Sequence, residues 1–567
     1  MIKKLLLLFL TFQFVSSWGQ KEHYPTDYFQ EPLDIPIILA GTFGELRPNH
    51  FHSGLDMKTQ QKEGLNVLAT ADGYVSRIKI SHWGYGKAVY ITHPNGYTTV
   101  YGHLQKFNTK IESYLKKRQY QKKSYSIQLY PKPDELKVSK GEIIAFSGST
   151  GGFVGAHLHY EIRKTAGSVP INPLLFGLKI ADSKKPIIQS LYAYPLSPEA
   201  QVHQSANPVK VSFKTLKNGD LLADTVFASG TIGFGVNAFD QLDKAANHNG
   251  LYALELYLNG KMIYQYDVEK FTFSESKYIN LFIDYKHYKT EHSRIQKCFV
   301  EPHNNLSIFN RQFPELGFIE IEEGVDYSIE IIARDFEGNK TKLTIPVAGK
   351  RAPITLPKTE LISDYPVIAT AFNKFSSNGV TVAFPKNTFY NDLYLDFITF
   401  PDGSVQVHTP TVPLDKNYTL TFDVSQISDV DKKHLFIAHY NDKGYANYVS
   451  TKRKENIFYT TTKKLGKFAL LSDYKAPEVT PYSFKNEQWI SNHKFLKVKI
   501  KDDLSGISSY TGSIDGQWIL MEWDLKKGLL VYNFDDLELK PGKHKLKVSV
   551  TDHANNTKTL SATFYRK

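Results

Sequence analysis

Apolar and polar residues alternate along most of this chain, in short runs separated by turns that contain glycine or asparagine. Such runs are typical of antiparallel β-strands, because successive side chains of a strand point to opposite faces of the sheet. In the N-terminal third the pattern is carried by GLNVLATADGYVSRIKI, AVYITHPNGYTTVYGHL and KGEIIAFSGSTG. We therefore predict a mainly β protein that begins with an antiparallel β-sheet domain.

A basic, tyrosine-rich segment interrupts this alternation from about residue 105 to residue 137 and ends near Pro131 and Pro133. We interpret it as an inserted loop in the N-terminal domain. A flap over a functional cleft and a solvated insertion are both compatible with its composition.

At three places in the rest of the chain, charged or polar residues are followed directly by a proline. These places are Lys184 to Pro186, Lys350 to Pro353 and Lys475 to Pro477. Such places are typical of domain boundaries. Together with a leader, they predict a chain divided as 1–19, 20–182, 183–350, 351–474 and 475–567.

The second and fourth predicted domains contain related segments. ARDFEGNKTKLTIPV and VTDHANNTKTLSATF share an aspartate, an asparagine turn and a closing strand. Upstream, VNAFDQLDKAANHNG corresponds loosely to VKIKDDLSGISSYTG in its aspartate-rich turn. We expect both domains to be immunoglobulin-like β-sandwiches, whereas the third is a β domain of unknown role.

The first residues combine Lys3 and Lys4 with an apolar run from Leu5 to Val15 and small residues before Gln20. This is the pattern of a secretory signal peptide, and the run is too short to span a bilayer comfortably. We therefore expect a mature chain without a transmembrane segment, exported to the periplasm or cell envelope.

Composition narrows the classes of function. A length of 567 residues with 41% hydrophobic and 22% charged residues is typical of a folded protein with several domains. Cys298 is the only cysteine, so no intramolecular disulfide can form, and we expect it to be a small buried hydrophobe. The net charge of +12 favours an anionic partner, but the absence of any nucleic-acid-binding motif favours the cell envelope over nucleic acid.

Histidines and acidic residues cluster in the N-terminal domain. ELRPNHFHSGLDMKT places His52 and Asp56 four residues apart, so both side chains can face one direction along an extended segment. GAHLHYEIR places His157 and His159 two residues apart, which puts both imidazoles on one face of a strand. Two imidazoles and a carboxylate are a ligand set that suits Zn²⁺ when a fourth position stays open.

Three segments, HSGLD, YGHL and HLHYE, follow one another in the order of the signature segments of the M23 (lysostaphin-like) peptidases, which they resemble. The resemblance covers about residues 35–175. It implies that His52, Asp56 and His159 bind Zn²⁺. It also implies that His103 and His157 are the catalytic histidines.

The same resemblance implies a secreted zinc endopeptidase that hydrolyses peptide bonds of peptidoglycan, in crosslinks or stem peptides, by zinc-activated water. Two alternatives remain open: a noncatalytic M23-like adaptor that regulates another wall hydrolase, and a secreted protease that acts on proteins. The C-terminal β domains are candidates for binding an envelope protein.

Other titratable residues near these segments need separate interpretation. No H-E-x-x-H motif occurs, which excludes the helix-borne zinc proteases as a template. Glu161 could be a base, but we favour a role in orienting a ligand. His50, His82 and His93 are left outside the site, and His93 is expected to be exposed because it belongs to a Pro-Asn-Gly turn.

Every proposed ligand and catalytic residue lies before Arg163, and the later sequence is interpreted as separate sandwiches. From this we expect a fragment that ends near Ile180 to fold and to cleave soluble muropeptides.

Overall fold

The computed structural model describes residues 23–152, 155–359 and 361–567. The predicted signal peptide, residues 1–19, lies outside the described residues. Within them the fold is mainly β, as predicted, with strands arranged in several antiparallel sheets. No helix in these ranges combines the length and the apolar character needed to cross a membrane.

The N-terminal domain is built around a nine-stranded sheet and a three-stranded sheet. Its elements are β1 (Leu39–Gly41), β2 (Leu46–Arg47), β3 (His50–Phe51), β4 (Leu55–Lys58), β5 (Asn66–Leu68), β6 (Gly73–Ile80), β7 (Lys87–Thr92), β8 (Tyr97–Gly102), β9 (Lys106–Phe107), α1 (Thr109–Lys122), β10 (Ile127–Leu129), β11 (Lys137–Val138), β12 (Ile143–Phe146), β13 (His157–Lys164) and β14 (Val169–Ile171). The large sheet has the order β1-β4-β13-β8-β7-β6-β10, with β11 on β6 and β14 on β13, and the small sheet has the order β5-β12-β9. The strands that carry the histidine motifs are therefore neighbours in one sheet.

Helix α1 lies within the segment that we predicted to be a loop, and that prediction is wrong. The side chain of Asn108 caps the helix by accepting a hydrogen bond from the Ile111 amide at 2.9 Å. Ile111 and Leu115 are buried on one helical face, and Lys123 ends the helix with a φ of 47°. The segment then continues as β10, which pairs with β6 and extends the large sheet.

The second domain contains β15 (Ile187–Pro195), β16 (Gln201–Val202), β17 (Val209–Val211), β18 (Phe213–Thr215), β19 (Leu221–Ala223), β20 (Val226–Phe239), β21 (Ala253–Leu258), β22 (Lys261–Asp267), α2 (Ile279–Phe282), α3 (Tyr285–Glu291), β23 (Gln296–Lys297), β24 (Ile319–Ile321), β25 (Asp326–Arg334) and β26 (Lys340–Gly349). The long strand β20 joins two layers, because its first residues pair with β26 and its later residues with β15. Cys298 is buried here, in agreement with its interpretation as a core residue.

The third domain contains β27 (Pro366–Val367), β28 (Asn373–Ser377), β29 (Val380–Phe384), β30 (Leu393–Tyr394), β31 (Phe397–Thr399), β32 (Val405–Val407), β33 (Tyr418–Asp423), α4 (Asp429–Lys432), β34 (Leu435–Tyr440), β35 (Ala446–Tyr448), β36 (Lys452–Lys454), β37 (Ile457–Thr462) and β38 (Gly466–Ser472). Two five-stranded sheets, β28-β29-β33-β37-β36 and β31-β32-β38-β34-β35, contribute to a core of their own.

The fourth domain contains β39 (Glu478–Pro481), β40 (Gln488–Trp489), β41 (Phe495–Lys501), β42 (Ile507–Ile514), β43 (Gln517–Ile519), β44 (Met521–Asp524), β45 (Leu529–Asn533), β46 (Gly542–Asp552) and β47 (Thr557–Arg566). The sheets β39-β41-β45-β44 and β40-β47-β46-β42-β43 contribute to a separate core. The immunoglobulin-like assignment of the second and fourth domains stays a prediction, as do the domain boundaries.

The first two domains share one continuous hydrophobic core. The rings of Phe43 and Phe51 lie 5.0 and 5.3 Å from the ring of Phe271 in the second domain, measured between centroids. The amide of Phe51 also donates a hydrogen bond to Oγ of Ser276 at 2.9 Å. Each buried phenylalanine contributes about 1.5–3 kcal/mol, so a fragment ending near Ile180 loses a substantial part of its stabilisation. This packing argues against our expectation that such a fragment folds alone, which stays a prediction to be tested.

Candidate active site

The sheet brings the three histidine motifs together. Strand β13 lies between β4 and β8, and His159 stands opposite Asp56 on one side and Gly102 on the other. His103 follows Gly102 directly, and His52 directly follows the short strand β3. Directly opposed residues of antiparallel strands lie about 4.5–5.5 Å apart, so the strand register itself sets the spacing of the site.

Three donor atoms converge at the centre of the site. Nε2 of His52 lies 3.0 Å from Oδ1 of Asp56, and Nδ1 of His159 lies 2.9 Å from the same oxygen. The two ring nitrogens are 3.1 Å apart. All three side chains are buried, and together they could hold a metal ion.

The second nitrogen of each imidazole is already engaged. Nδ1 of His52 donates to the carbonyl oxygen of Thr42 at 2.7 Å, and Nε2 of His159 donates to Oε1 of Glu161 at 2.8 Å. A neutral imidazole carries hydrogen on one nitrogen only, so when these outer nitrogens keep theirs, the lone pairs of His52 Nε2 and His159 Nδ1 are available to a metal ion beside Asp56. This donor set fits Zn²⁺, which takes imidazole nitrogen and carboxylate oxygen in open tetrahedral sites.

Thr42 belongs to the loop after β1 and supports His52 from the side of the second domain. While its carbonyl oxygen holds the imidazole, its Oγ1 accepts a hydrogen bond from the amide of Gly250 at 3.2 Å. The orientation of a ligand in the first domain is therefore coupled to the position of a loop in the second.

The electrostatics of the ligands follow from this packing. Burial raises the pKa of Asp56, but attraction to His52 and hydrogen bonds from His159 and His52 outweigh it and hold this pKa well below its ordinary value. Burial lowers the pKa of His159, but its hydrogen bonds to Asp56 and Glu161 raise it to about 9. Arg47 adds a contact of 3.1 Å to Oδ2 of Asp56. A proton and a metal ion would therefore compete for the same ligand atoms.

Glu161 is the centre of a buried network behind His159. Its Oε1 accepts hydrogen bonds from the hydroxyl of Tyr85 and from Oγ of Ser53, the latter at 3.0 Å, while Oε2 pairs with Nε of Arg163. Burial raises the pKa of Glu161, but Arg163 and His159 lower it below its ordinary value. These contacts agree with our interpretation of Glu161 as a residue that orients a ligand.

His103 and His157 lie beside this cluster, with ring centroids 4.6 Å apart. Nδ1 of His103 donates to the carbonyl oxygen of Thr150 at 2.8 Å, and Nδ1 of His157 donates to that of Gly155 at 3.0 Å. Burial and the neighbouring His159 and His157 lower the pKa of His103 to about 3, and burial lowers the pKa of His157. Both imidazoles are thus neutral near pH 7, with Nε2 as the basic nitrogen.

The remaining histidines of the domain lie outside the cluster. His50 is exposed, whereas His82 stacks on Tyr125 with centroids 4.8 Å apart. His93 is only 3% exposed, so the prediction that it is exposed is wrong. Its two ring nitrogens form hydrogen bonds with the carbonyl oxygen of Asp72 and with Oγ1 of Thr99, both at 2.8 Å. His93 is therefore a core residue, although it lies next to a turn.

The sequence analysis did not identify several residues that contact the proposed ligands or hold them in place. One of these residues, Arg163, could have been found from its spacing along the strand. Arg163 follows His157, His159 and Glu161 at steps of two along β13, so all four side chains share one face of the strand. Thr42, Arg47 and Tyr85 gave no such signal, because they reach the site from other segments of the domain. The residues that the sequence analysis did not identify are Thr42, Arg47, Ser53, Tyr85 and Arg163.

The fourth domain borders the site. Glu522 accepts hydrogen bonds from Nζ of Lys87 at 2.8 Å and from the hydroxyl of Tyr125 at 2.9 Å. Nζ of Lys526 donates to the carbonyl oxygen of Ser149. Between the two domains lies a cavity of about 740 Å³, also lined by Thr150, the residue that holds His103. The fourth domain thus packs against segments that adjoin the site.

Comparison with protein families gives two matches. The family model "Peptidase family M23" matches residues 50–120, and the model "Zu5-like domain" matches residues 364–473. The first range contains His52, Asp56 and His103, and the second lies within the third domain.

The chain is similar to two curated bacterial enzymes over its N-terminal part. It is 36% identical over 153 residues to the DD-carboxypeptidase/endopeptidase Mpg of Neisseria meningitidis serogroup B, covering 26% of this chain and 29% of that protein. It is 32% identical over 132 residues to the peptidoglycan DD-endopeptidase ShyA of Vibrio cholerae, covering 23% of this chain and 24% of that protein. The matched region is therefore less than a third of the length of either relative.

Among solved structures, the chain is similar to a catalytic-domain variant of the prophage-encoded M23 protein EnpA from Enterococcus faecalis. The identity is 25%, and the match covers 27% of this chain and 98% of that chain with a TM-score of 0.19.

Proposed function

We propose that this protein is a zinc endopeptidase that hydrolyses peptide bonds of peptidoglycan, with the N-terminal domain, which matches peptidase family M23 over residues 50–120, as its catalytic part. The observation that carries this proposal is the convergence of His52, Asp56 and His159 on one point, with the outer nitrogen of each imidazole held by an acceptor. The similarity to the peptidoglycan DD-endopeptidase of Vibrio cholerae supports peptidoglycan as the substrate.

In this proposal His52, Asp56 and His159 hold the zinc ion. Zinc bound there supplies a Lewis acid that polarises a carbonyl group and makes water more acidic. Glu161 and the carbonyl oxygen of Thr42 fix the two rings, so the ligand atoms need little rearrangement when the ion binds.

His103 and His157 are proposed to move the protons of the reaction. Each holds hydrogen on Nδ1 through a backbone carbonyl, so the neutral ring offers Nε2 as a base. A base of this kind can take a proton from the attacking water and, once charged, return one to the leaving amine. Their fixed rings favour this exchange, because neither imidazole has to change tautomer first.

The cavity between the first and fourth domains is proposed as part of the path for the substrate. It is lined by Lys87, Thr150 and Glu522, and Thr150 is in direct contact with His103. The predicted leader and the positive charge of the chain support action in the periplasm or cell envelope, where peptidoglycan lies.

The test is incubation of the full-length protein without residues 1–19 with purified peptidoglycan, followed by mass spectrometry of the released fragments. Fragments that carry a new amine and carboxyl terminus, and that disappear with a zinc chelator, are the expected result. A parallel incubation with casein tests the alternative that the protein is a protease that acts on proteins.

A noncatalytic adaptor gives a different outcome in the same assay. In that case no fragment appears with the protein alone, and fragments increase only when a second wall hydrolase is added. That result would contradict the proposed enzyme, provided that zinc content and circular dichroism show a loaded, folded protein.

A further inference from the structure

Two groups of three aspartates converge outside the active site. One consists of Asp182, Asp240 and Asp335, and the other of Asp473, Asp502 and Asp552. In each group the three aspartates offer carboxylate oxygens that all lie within 4.8 Å of one another. The first group lies at the junction of the first and second domains, and the second at the junction of the third and fourth.

The two groups are built from the same sequence elements. Asp182 begins DSKKP and Asp473 begins DYKAP, each just before the first strand of its domain. Asp240 begins DQLD and Asp502 begins DDLS, at the ends of β20 and β41. The third aspartate of each group is followed four residues later by asparagine, as in DFEGN and DHANN. The repeat that we noted between these domains thus coincides with the carboxylate clusters.

Their local geometry is also similar, since in each the third aspartate accepts hydrogen bonds from two backbone amides that follow it. Oδ1 of Asp335 accepts hydrogen bonds from the amides of Gly338 and Asn339 at 2.7 and 2.8 Å. In the fourth domain, Oδ1 of Asp552 accepts two such bonds, both at 2.8 Å.

A second contact ties each linker to its domain. The side-chain amide of Asn339 donates to the carbonyl oxygen of Asp182 at 3.3 Å, and that of Asn556 donates to the carbonyl oxygen of Asp473 at 2.8 Å. Each linker aspartate is therefore held beside the other two carboxylates by a hydrogen bond from an asparagine side chain, and this bond occurs in both repeats.

The charge of these carboxylates is only partly compensated, by backbone amides and, at Asp240, by Lys184 nearby. Within the described ranges, none of the six forms an ion pair with lysine, arginine or histidine, whereas the adjacent Asp503 pairs with Lys475 and Lys501. Burial and repulsion from Asp182 and Asp335 raise the pKa of Asp240 to about 7. Three close carboxylates with this little solvent need a counter-charge.

Unpartnered polar groups face the first cluster. Oδ1 of Asp240, and both Oδ1 and Nδ2 of Asn249, have no hydrogen-bond partner within the part of the chain described, although these residues are only 3% and 2% exposed. Asp240 and Asn249 exchange both backbone hydrogen bonds, at 2.9 and 2.8 Å. Residues paired in this way have side chains on the same face, so the amide of Asn249 lies on the side of the carboxylates.

The second cluster has a comparable group. Oγ of Ser505 has no partner among the described residues and Ser505 is 1% exposed, while its amide donates to Oδ2 of Asp473 at 3.1 Å. Both clusters thus contain a buried neutral oxygen that no protein group satisfies.

We propose that each aspartate cluster binds one Ca²⁺, with Asn249 in the first site and Ser505 in the second as neutral oxygen ligands. Calcium takes six to eight oxygen ligands in flexible geometry, including carboxylates and amide oxygens. The clusters contain neither imidazole nor thiolate, so their chemistry differs from that of the zinc ligands. An ion at either position would join a linker to the domain that follows it.

The experiment is a calorimetric titration of CaCl₂ into the zinc-loaded, full-length protein without residues 1–19, after dialysis against calcium-free buffer. We expect two Ca²⁺ per chain, with dissociation constants no weaker than about 10⁻³ M, as in extracellular calcium modules. Asp240→Asn removes one carboxylate charge at similar volume and should lose one ion. Asp502→Asn should lose the other, and the double variant both.

Asp503→Asn is the matched control, because Asp503 neighbours Asp502 but faces Lys475 and Lys501, and it should keep two ions. Fewer than two ions on the wild-type chain, or two ions retained by either cluster variant, would overturn the proposal. If a cluster variant fails to fold, the wild-type stoichiometry decides, together with the melting temperature. Calcium should raise that temperature more than the same concentration of magnesium.

Discussion

Nε2 of His159 donates a hydrogen bond to Oε1 of Glu161 at 2.8 Å, from two residues away on the same face of β13. This contact fixes the imidazole with Nδ1 toward Asp56. Because Arg163 holds Glu161 in turn, the strand presents a chain of paired groups that ends at the proposed metal position. The proposed zinc affinity therefore depends on residues that do not touch the metal.

Glu161→Gln is expected to weaken zinc binding about 10–100-fold, because loss of the carboxylate charge loosens His159 and leaves Arg163 without its buried partner. Competition with a chromogenic chelator measures the affinity. Glu135→Gln, an exposed substitution in the same domain, serves as control and should bind zinc like the wild type. An unchanged affinity for Glu161→Gln would mean that this hydrogen bond does not tune the site.

The double variant His52→Ala, His159→Ala is expected to lose the single zinc ion of the site, since only Asp56 remains of the three ligands. Metal analysis after gel filtration gives the stoichiometry, which should fall from one zinc per chain to near zero. His50→Ala, next to the site but exposed, should keep the metal. Stoichiometric zinc in the double variant would place the metal elsewhere.

His103→Ala and His157→Ala are each expected to lower kcat by about 10²- to 10⁴-fold, the usual contribution of a positioned acid or base. Zinc content should stay near one per chain, because neither side chain is a proposed ligand. Steady-state kinetics on soluble muropeptides measure the effect, and His50→Ala, at an exposed histidine outside the cavity, is the control. A variant with near-normal kcat would not be catalytic.

A fragment ending at residue 180 is expected to be unfolded or aggregated, because it exposes Phe43 and Phe51, which pack on Phe271. Loss of several such contacts, at about 1.5–3 kcal/mol each, is comparable to the 5–15 kcal/mol that stabilises a typical domain. A fragment ending at residue 350 keeps the shared core and should give a cooperative thermal transition. Circular dichroism compares the two, and a well-folded shorter fragment would show that the interface is dispensable.

The sequence was sufficient to select His52, Asp56, His103, His157 and His159 as site candidates, because their spacing and order resemble those of a known family, and their roles stay predictions. The structure brings all five into one cluster. The alternation of apolar and polar residues likewise predicted the sheets, since a strand exposes its two faces in a local, readable pattern.

What the sequence did not reveal depends on contacts between distant segments. Helix α1 had a readable cap at Asn108 and an apolar pair at Ile111 and Leu115, but its many charged residues obscured them. His93 is buried because Phe29 and Thr99 surround its ring, which no local pattern records. The contact of Phe51 with Phe271 joins positions more than two hundred residues apart. The sequence around neither residue indicates that the two are in contact.

Thr42 limits how the domains of this chain can be exchanged with those of other proteins. Its carbonyl oxygen orients His52, while its hydroxyl oxygen accepts a hydrogen bond from the amide of Gly250 in the following domain. A chimera that transplants the first domain onto foreign modules would therefore separate a ligand from part of its support. Exchange at the junction near residue 350 keeps that support, so recombination that preserves the orientation of His52 has to move the first two domains together.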